Sequence, residues 1–558
     1  MLKPIMNAYR NLYSLNGIWQ MRTVDDGYVP TQPAKDTVDV AVPASYNEQT
    51  CDIDLRDYVG KVLFEQTFSC PVCQDKQYRI HFNGLSHRGE IYLNGELVAK
   101  TNCGYLPVDA EVTLKATNRL SVIIDNRLTY ETMPVSQIDE KTGKQILQVD
   151  FYNFTGIHRD VSLYTVSKEW IRDITVETFV NDDPKQVKIS AEGVTGALVD
   201  ILDAEGVCVA KGASAGEVIT LAEPKLWRVR NAYLYTARVY TNSDEYTLPF
   251  GIRKVEVDEK GLYLNGEKVY LKGYGRHEDF YVSGRGTNLP VLVRDFNLMN
   301  WTNANSFRTS HYPYGDEAYE MADKMGYLVI DEVPNVGMNW VDDMYAPGRV
   351  DEKTLAVHKE YLEQMIARDK NHPCVVMVSI SNEPDAAQKG AREYFQQVAA
   401  YARTLTKLPL TLAEFTPYNE DTIGDLVDVI CINRYFGWYY DHGDLRNVEQ
   451  TLREDLQNWY EKYHKPMIVS EFGADAIEGN HCFPAETFSE EYQRDIIDLF
   501  CKAFDSVDCC IGEQVWNFAD FKTKQGLNRV RGNRKGVFSK DRQPKLAAHY
   551  LKQRWENK

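Results

Sequence analysis

From about Arg253 onward, strand-like apolar runs alternate with longer stretches of helical periodicity, and this alternation limits the possible folds more than any other feature of the chain. The candidate strands are KVYLKGYG, ANSFRTS, YLVIDEV, CVVMVSIS, LPLTLAEF, DVICINRY, PMIVSEF and GEQVWNF. Between some of them lie VLVRDFNLMNWT, EAYEMADKMG and TLAVHKEYLEQMIARD, whose apolar residues recur at helical spacing. Strand–helix alternation signals parallel pairing. Eight strands is the number that closes a (β/α)8 TIM barrel, and residues 253–558 are enough for one. In such a barrel, catalytic side chains sit at the carboxyl ends of the strands.

The rest of the chain has a different pattern. Residues 1–166 carry short alternating segments such as KVLFEQTF, QYRIHFNG and RLSVIIDNRL, divided by Gly, Asn and Asp turns, which predicts a jelly-roll β-sandwich. Residues 167–252 alternate again (QVKISAEGV, LYTARVYT) at the size of an immunoglobulin-like sandwich. At 558 residues, three domains agree with the prior of roughly 150 residues per core.

Charge and cysteine usage exclude several classes of function. With 63 basic and 81 acidic residues the net charge is −18, which argues against nucleic acid or an anionic membrane as the main partner. No apolar run has the length of a signal peptide or a membrane span, so the expectation is a cytoplasmic enzyme. Eleven cysteines without regular spacing fit a reducing compartment. Cys70 and Cys73 stand at CxxC spacing but have no second pair nearby, so no metal is expected there, and no cofactor anywhere. The NFT at Asn153 matches a glycosylation pattern that has no chemistry without export.

Acids close the candidate strands at Asp331, Glu332, Glu383, Glu414 and Glu471. Charges so near a core are seldom left without a partner or a task. Asp331, Glu332 and Glu414 are expected to pair with arginines such as Arg276 and Arg308 and so hold the barrel mouth together. Glu383 and Glu471 each lie inside a longer motif.

Those motifs are NHPCVVMVSISNEP and IVSEFGAD, and they resemble the acid/base and nucleophile signatures of glycoside hydrolase family 2. LNGIW, GIHRDVSLY, GRHED and SFRTSHYPYGDEAYEMADKMGYLVIDE extend the likeness over the whole chain. The resemblance implies that Glu383 is the acid/base, that Glu471 is the nucleophile of a retaining double displacement, and that Asn382 contacts the sugar 2-hydroxyl. The carboxyl-terminal RGNRKGVF is similar to that of members cleaving β-glucuronides, whose Asn-x-Lys reads the sugar carboxylate. Here those residues are Asn533, Arg534 and Lys535. An ammonium beside an amide donor suits a carboxylate at C6 and gains nothing from a neutral hydroxyl.

By the same likeness, Tyr435 contacts the nucleophile, with Tyr439 one turn further on and Asn433 and Arg434 beside them. His311 faces the sugar, Trp516 offers its ring, Arg529 assists with the carboxylate and Asp150 reaches in toward the distal hydroxyls. The partners implied are β-D-glucuronides, either small conjugates or glucuronate-capped oligosaccharides, and the chain is expected to form a homo-oligomer, a dimer or tetramer. Other readings stay open: a β-galacturonidase, a β-galactosidase, or a carbohydrate-binding protein without catalysis. Val378, Phe472 and Phe436 depart from the residues common in relatives, which bears on aglycone and sugar contacts. The segment from Asn335 to about Lys353 is shorter than the active-site loop of some relatives and offers Met338, Trp340 and Met344. It predicts an open mouth, modest efficiency on small aromatic glucuronides and relatively better cleavage of oligosaccharides.

Overall fold

The computed structural model describes residues 1–139, 141–147, 149–180, 186–336, 338 and 352–558. Eight parallel strands close a barrel: β1 (Leu271–Gly275), β2 (Ser306–Arg308), β3 (Leu328–Glu332), β4 (Val375–Asn382), β5 (Leu410–Glu414), β6 (Ile430–Asn433), β7 (Met467–Glu471) and β8 (Cys510–Val515). Six lie within the predicted runs; β4 extends one residue past CVVMVSIS to Asn382, and β8 begins two residues before GEQVWNF, at Cys510. Every residue of β3, β4, β5 and β7 is buried, because helices cover the outside and side chains fill the inside. This explains why those runs are continuously apolar until a polar residue ends them.

Local signals set the surrounding helices. Asn288 caps the helix Leu289–Trp301, its side chain accepting from the Val291 amide at 3.3 Å, and Pro290 stands in the first turn. Asp316 and Glu317 open the helix Asp316–Met325, which stops at Gly326 with φ +73°. A Cβ at Gly326 would lie 2.5 Å from the Arg230 amide nitrogen, so glycine is required for both conformation and space. A three-stranded antiparallel sheet over Val255–Val269 precedes β1 and adds Leu262 and Leu264 to the barrel core.

The jelly-roll unit packs a six-stranded antiparallel sheet on a four-stranded one, with Trp19, Phe64, Phe82 and Leu120 in their shared core. The immunoglobulin-like unit packs three strands on four around Ile189, Ile201, Ala237 and Val239. Among the described residues no helix is long and apolar enough to cross a membrane.

The first sandwich is fixed to the barrel mouth by Arg159, from the GIHRD motif. Its guanidinium donates to the Tyr105 carbonyl at 2.6 Å, the Pro313 carbonyl at 2.7 Å and Glu278 Oε2 at 3.1 Å. Tyr105 and Tyr312 stack on each other with ring centres 4.8 Å apart, and the Arg285 guanidinium, 4.8 and 4.4 Å from those centres, secures the same seam. The segment carrying Asp150 and Phe151 therefore lies over the mouth, and the Tyr152 amide fastens it to the Lys522 carbonyl at 2.9 Å. Replacing Arg159 by Met leaves the buried Glu278 carboxylate without its cation. The expected loss is about 3–5 kcal/mol of stability, measured as a lowered urea midpoint; an unchanged midpoint would show that the docking rests on other contacts.

Candidate active site

At the carboxyl ends of the strands is a cavity of about 790 Å³, walled by both sandwich and barrel residues. Asp150, His311, Asn382, Glu383, Tyr435 and Glu471 line it, as do Tyr439, Trp516 and Arg529. Asn533 and Lys535 stand behind the Arg529 end and are fully buried. Strand β4 delivers Asn382, and the chain turns sharply at the next residue, Glu383, which takes a left-handed φ of +49°. Such a conformation costs a non-glycine residue of the order of 1–3 kcal/mol and tends to occur at functional sites. The turn is pinned by the Glu383 amide, which donates to the Ala413 carbonyl at 2.7 Å.

The two glutamates have contrasting surroundings. Glu471 Oε1 accepts from Arg308 Nη2 at 2.5 Å and its Oε2 accepts from the Tyr435 hydroxyl at 2.7 Å. Glu383 Oε1 has one amide donor, Asn433 Nδ2, at 2.8 Å. Burial, and after it the charge of Glu471, push the Glu383 carboxyl up from 4.5 to about 8, against the pull of the Asn433 bond. Asn382 Oδ1 accepts from Arg308 at 3.1 Å and from Asn433 at 3.4 Å, which turns its amide nitrogen away from both donors.

Arg308 reaches further. Its Nη1 donates to both oxygens of Glu332, at 2.9 and 2.7 Å, and Glu332 also accepts from His311 Nδ1 and Ser379 Oγ, each at 2.8 Å. Burial alone would raise the Glu332 carboxyl, but Arg308 and His311 hold it below its usual value. The Trp516 ring stacks on His311 at 5.0 Å.

The expected pairing of strand-end acids with arginines holds for Glu332 alone. Asp331 accepts from the Tyr319 hydroxyl at 2.7 Å, and Arg276 is spent on Asp295 at 2.8 Å. Neither oxygen of Glu414 has a hydrogen-bond partner among the described residues. Burial, reinforced by Asp369 at Asp331 and by Asp421 at Glu414, pushes both carboxyls well up.

At the far end of the cavity, Asp150 accepts from Arg529 at 2.7 and 2.9 Å and from Asn533 Nδ2 at 2.9 Å. Lys535 Nζ donates to the Tyr439 hydroxyl at 2.9 Å and to Asp475 Oδ2 at 2.6 Å. Asp475 had no role in the sequence reading; its one signal was its place in IVSEFGAD, four residues after Glu471. His277 and Phe151 also line the cavity; His277 lies in GRHED, but neither residue was given a role there. Of the three departures from relatives, only Phe436 reaches the cavity. Val378 lies in the barrel core, and Phe472 stacks on Phe500 at 5.3 Å. Met338 is buried against Asn335, while Trp340 and Met344 fall outside the described residues.

Among the described residues one group is compact enough to hold a metal: Asp323, His372 and Cys374. Its carboxylate is already engaged by His372 Nδ1 at 2.6 Å and the Cys374 amide at 2.9 Å, and burial pushes the thiol well up, which disfavours a thiolate ligand. This is a structural ion pair away from the cavity.

The chain belongs to glycosyl hydrolases family 2. Residues 12–167 match the family's sugar binding domain, 156–253 match the description Glycosyl hydrolases family 2, and 255–558 match its TIM barrel domain. The beta-glucuronidase of Paenibacillus borealis is 41% identical over 586 aligned residues, covering all of this chain and 98% of that protein. A solved beta-glucuronidase from an uncultured Clostridium sp. superposes with a TM-score of 0.96 at 42% identity, covering 100% of both chains. Ruminococcus gnavus beta-glucuronidase, solved in complex with uronic isofagomine, superposes with a TM-score of 0.95 at 35% identity, over 100% of this chain and 98% of that one.

The surroundings of Glu383 have a consequence for stability. Its folded value of about 8 lies above the ordinary 4.5, so the stabilisation from holding that proton is complete below 4.5 and is lost as pH rises through about 8. Glu383→Gln, which keeps the acceptor for Asn433 and cannot ionise, should melt progressively higher than the parent as pH rises from 5 to 9. Thermal scans across that range check it, and a pH-independent difference would contradict the raised value.

Proposed function

We propose that the chain is a retaining β-glucuronidase that releases terminal β-D-glucuronic acid through a covalent glycosyl-enzyme. One observation carries the reading: the cavity that holds Glu383 and Glu471 ends at Arg529, and a second cation and an amide, Lys535 and Asn533, are buried directly behind it on Asp475 and Asp150. A sugar carboxylate at C6 gains charge-assisted hydrogen bonds there, and a hydroxymethyl group does not. The names of the Paenibacillus, Clostridium and Ruminococcus relatives agree with this assignment.

The contrast between the two glutamates supports a division of roles. Glu383, protonated below about 8, gives its proton to the departing glycosidic oxygen while the Glu471 carboxylate attacks the anomeric carbon. The C–O bond to the aglycone breaks as the ester to Glu471 forms. Esterification removes the charge that raised Glu383, so the same group then takes a proton from the water that cleaves the ester. Asn382, whose Oδ1 is held by Arg308 and Asn433, is assigned to the 2-hydroxyl through its amide nitrogen, and the Tyr435 hydroxyl steadies Glu471.

Cytoplasmic operation is part of the reading, supported by eleven free cysteines that include exposed Cys51, Cys73 and Cys208. Assembly into a dimer or tetramer completes it, and the nearly full exposure of Phe483 (99%) and Tyr281 (77%) is in keeping with covered surface in an oligomer. Sedimentation velocity reads the assembly directly.

Two tests address the chemistry. Glu471→Ala should abolish turnover of every glycoside, whereas Glu383→Ala should still form the covalent intermediate from a nitrophenyl glucuronide, whose leaving group needs no proton. The parent's kcat/KM should fall as pH rises through about 8. Equal failure of Glu383→Ala on activated and unactivated substrates would remove it from the acid role. Lys535→Ala should forfeit about 2–4 kcal/mol of transition-state stabilisation on glucuronides and far less on neutral glycosides; steady-state kinetics on both substrates decides it.

A further inference from the structure

Asp475 ties the nucleophile's strand to the loop that carries Asn533 and Lys535. It follows Glu471 by four residues and is almost fully buried. Its Oδ1 accepts from the Arg534 backbone amide at 2.7 Å and its Oδ2 accepts from Lys535 Nζ at 2.6 Å. The next amide, Ala476, donates to the Arg534 carbonyl at 3.0 Å. Gln493 closes the joint from the helix Glu490–Asp505, donating to the carbonyls of Ala474 at 2.9 Å and Lys535 at 3.2 Å.

A lysine ammonium is a point charge on a flexible stem, so its position has to be supplied by what it touches. Lys535 Nζ has three donors, and two of them are directed at Asp475 and at the Tyr439 hydroxyl. The third remains for a ligand. Tyr439 is half exposed, leaving Asp475 as the rigid support.

We infer that Asp475 is a positioning residue that sets the preference for a carboxylate over a hydroxymethyl group at C6, by holding the Lys535 ammonium at a fixed place relative to Glu471. The inference rests on the β-glucuronidase reading. Burial alone would raise the Asp475 carboxyl, and Lys535 and Arg529 bring it below its usual value, so the pair stays ionic in the closed interior.

The test is a double-mutant cycle on the full-length enzyme, with kcat/KM measured for nitrophenyl β-glucuronide and nitrophenyl β-glucoside. Asp475→Asn should lose about thirtyfold or more on the glucuronide and less than about threefold on the glucoside. In a Lys535→Met background the same change should cost less than about threefold further on the glucuronide, because the ammonium through which it sets the preference has gone. Additive losses, or equal losses on the two substrates, would overturn the inference. If Asp475→Asn fails to fold, Asp475→Glu keeps the charge and shifts it by one methylene; it should lose about tenfold in discrimination at an unchanged melting temperature. Unchanged discrimination in Asp475→Glu would equally overturn it. The outcomes separate the levels of the argument: a parent inactive on glucuronides defeats the functional reading, and a Lys535→Met variant with normal discrimination defeats the role of Lys535. Loss of discrimination in Lys535→Met alone defeats only the role of Asp475.

Discussion

The Arg308 guanidinium, fully buried at the end of β2, is the interaction on which the rest of the site depends. A cation in that position needs carboxylates and the carboxylates need it, since any one of them buried alone would be costly. It joins Glu332 on β3, Asn382 on β4 and Glu471 on β7, so three strands meet at one planar group. Arginine suits this task where lysine would not, because its donors fan out in fixed directions. His311 and Ser379 complete the hydrogen bonding of Glu332, which in turn holds Arg308.

That anchoring separates two chemically identical side chains. Glu471 is bound by a cation and a hydroxyl, whereas Glu383 receives one neutral amide and is pushed up by burial and by the Glu471 charge. Asn433 is shared between them. Its Oδ1 accepts from Ser470, the residue before Glu471, and its Nδ2 donates to Glu383, so one side chain relates the positions of both glutamates. The two glutamates thus differ in what surrounds them, which is the contrast that the proposed acid and nucleophile roles need in retaining chemistry with paired carboxylates.

How much of this the sequence revealed depended on whether a feature is local. Barrel strands buried on all sides leave unbroken apolar runs, and the polar residue that ends a run marks the mouth, so the eight strands and the candidate acids could all be found. Partners across the barrel left no such trace: Arg308 and Glu471 lie 163 positions apart, and Lys535 and Asp475 lie 60 apart. Burial misled in the opposite way. Asp331 and Glu414 look like ion-pair partners in a string of letters, yet they are enclosed deeply and burial pushes both carboxyls up. Side-chain direction was equally hidden, and for that reason Val378 and Phe472, flagged as departures near the sugar, proved to be core residues.

The far end of the cavity, proposed above to take the sugar carboxylate, has a further problem to solve, because two cations there would be costly without counter-charges. Here each is already matched, Lys535 by Asp475 in a fully buried pair and Arg529 by Asp150 in a partly open one. The difference in exposure matters more than the count of charges. Asp475, with a side chain 2% exposed, acts on Lys535 through a poorly screening interior, while Asp150, at 36%, shares its charge with solvent. An arriving carboxylate therefore meets one cation held rigidly in place and another whose partner is partly screened by water. Stability of the empty enzyme and attraction for an acidic sugar are reconciled by placing the two aspartates at different depths. Because Asp150 comes from the first sandwich, the balance also depends on the docking of that domain through Arg159.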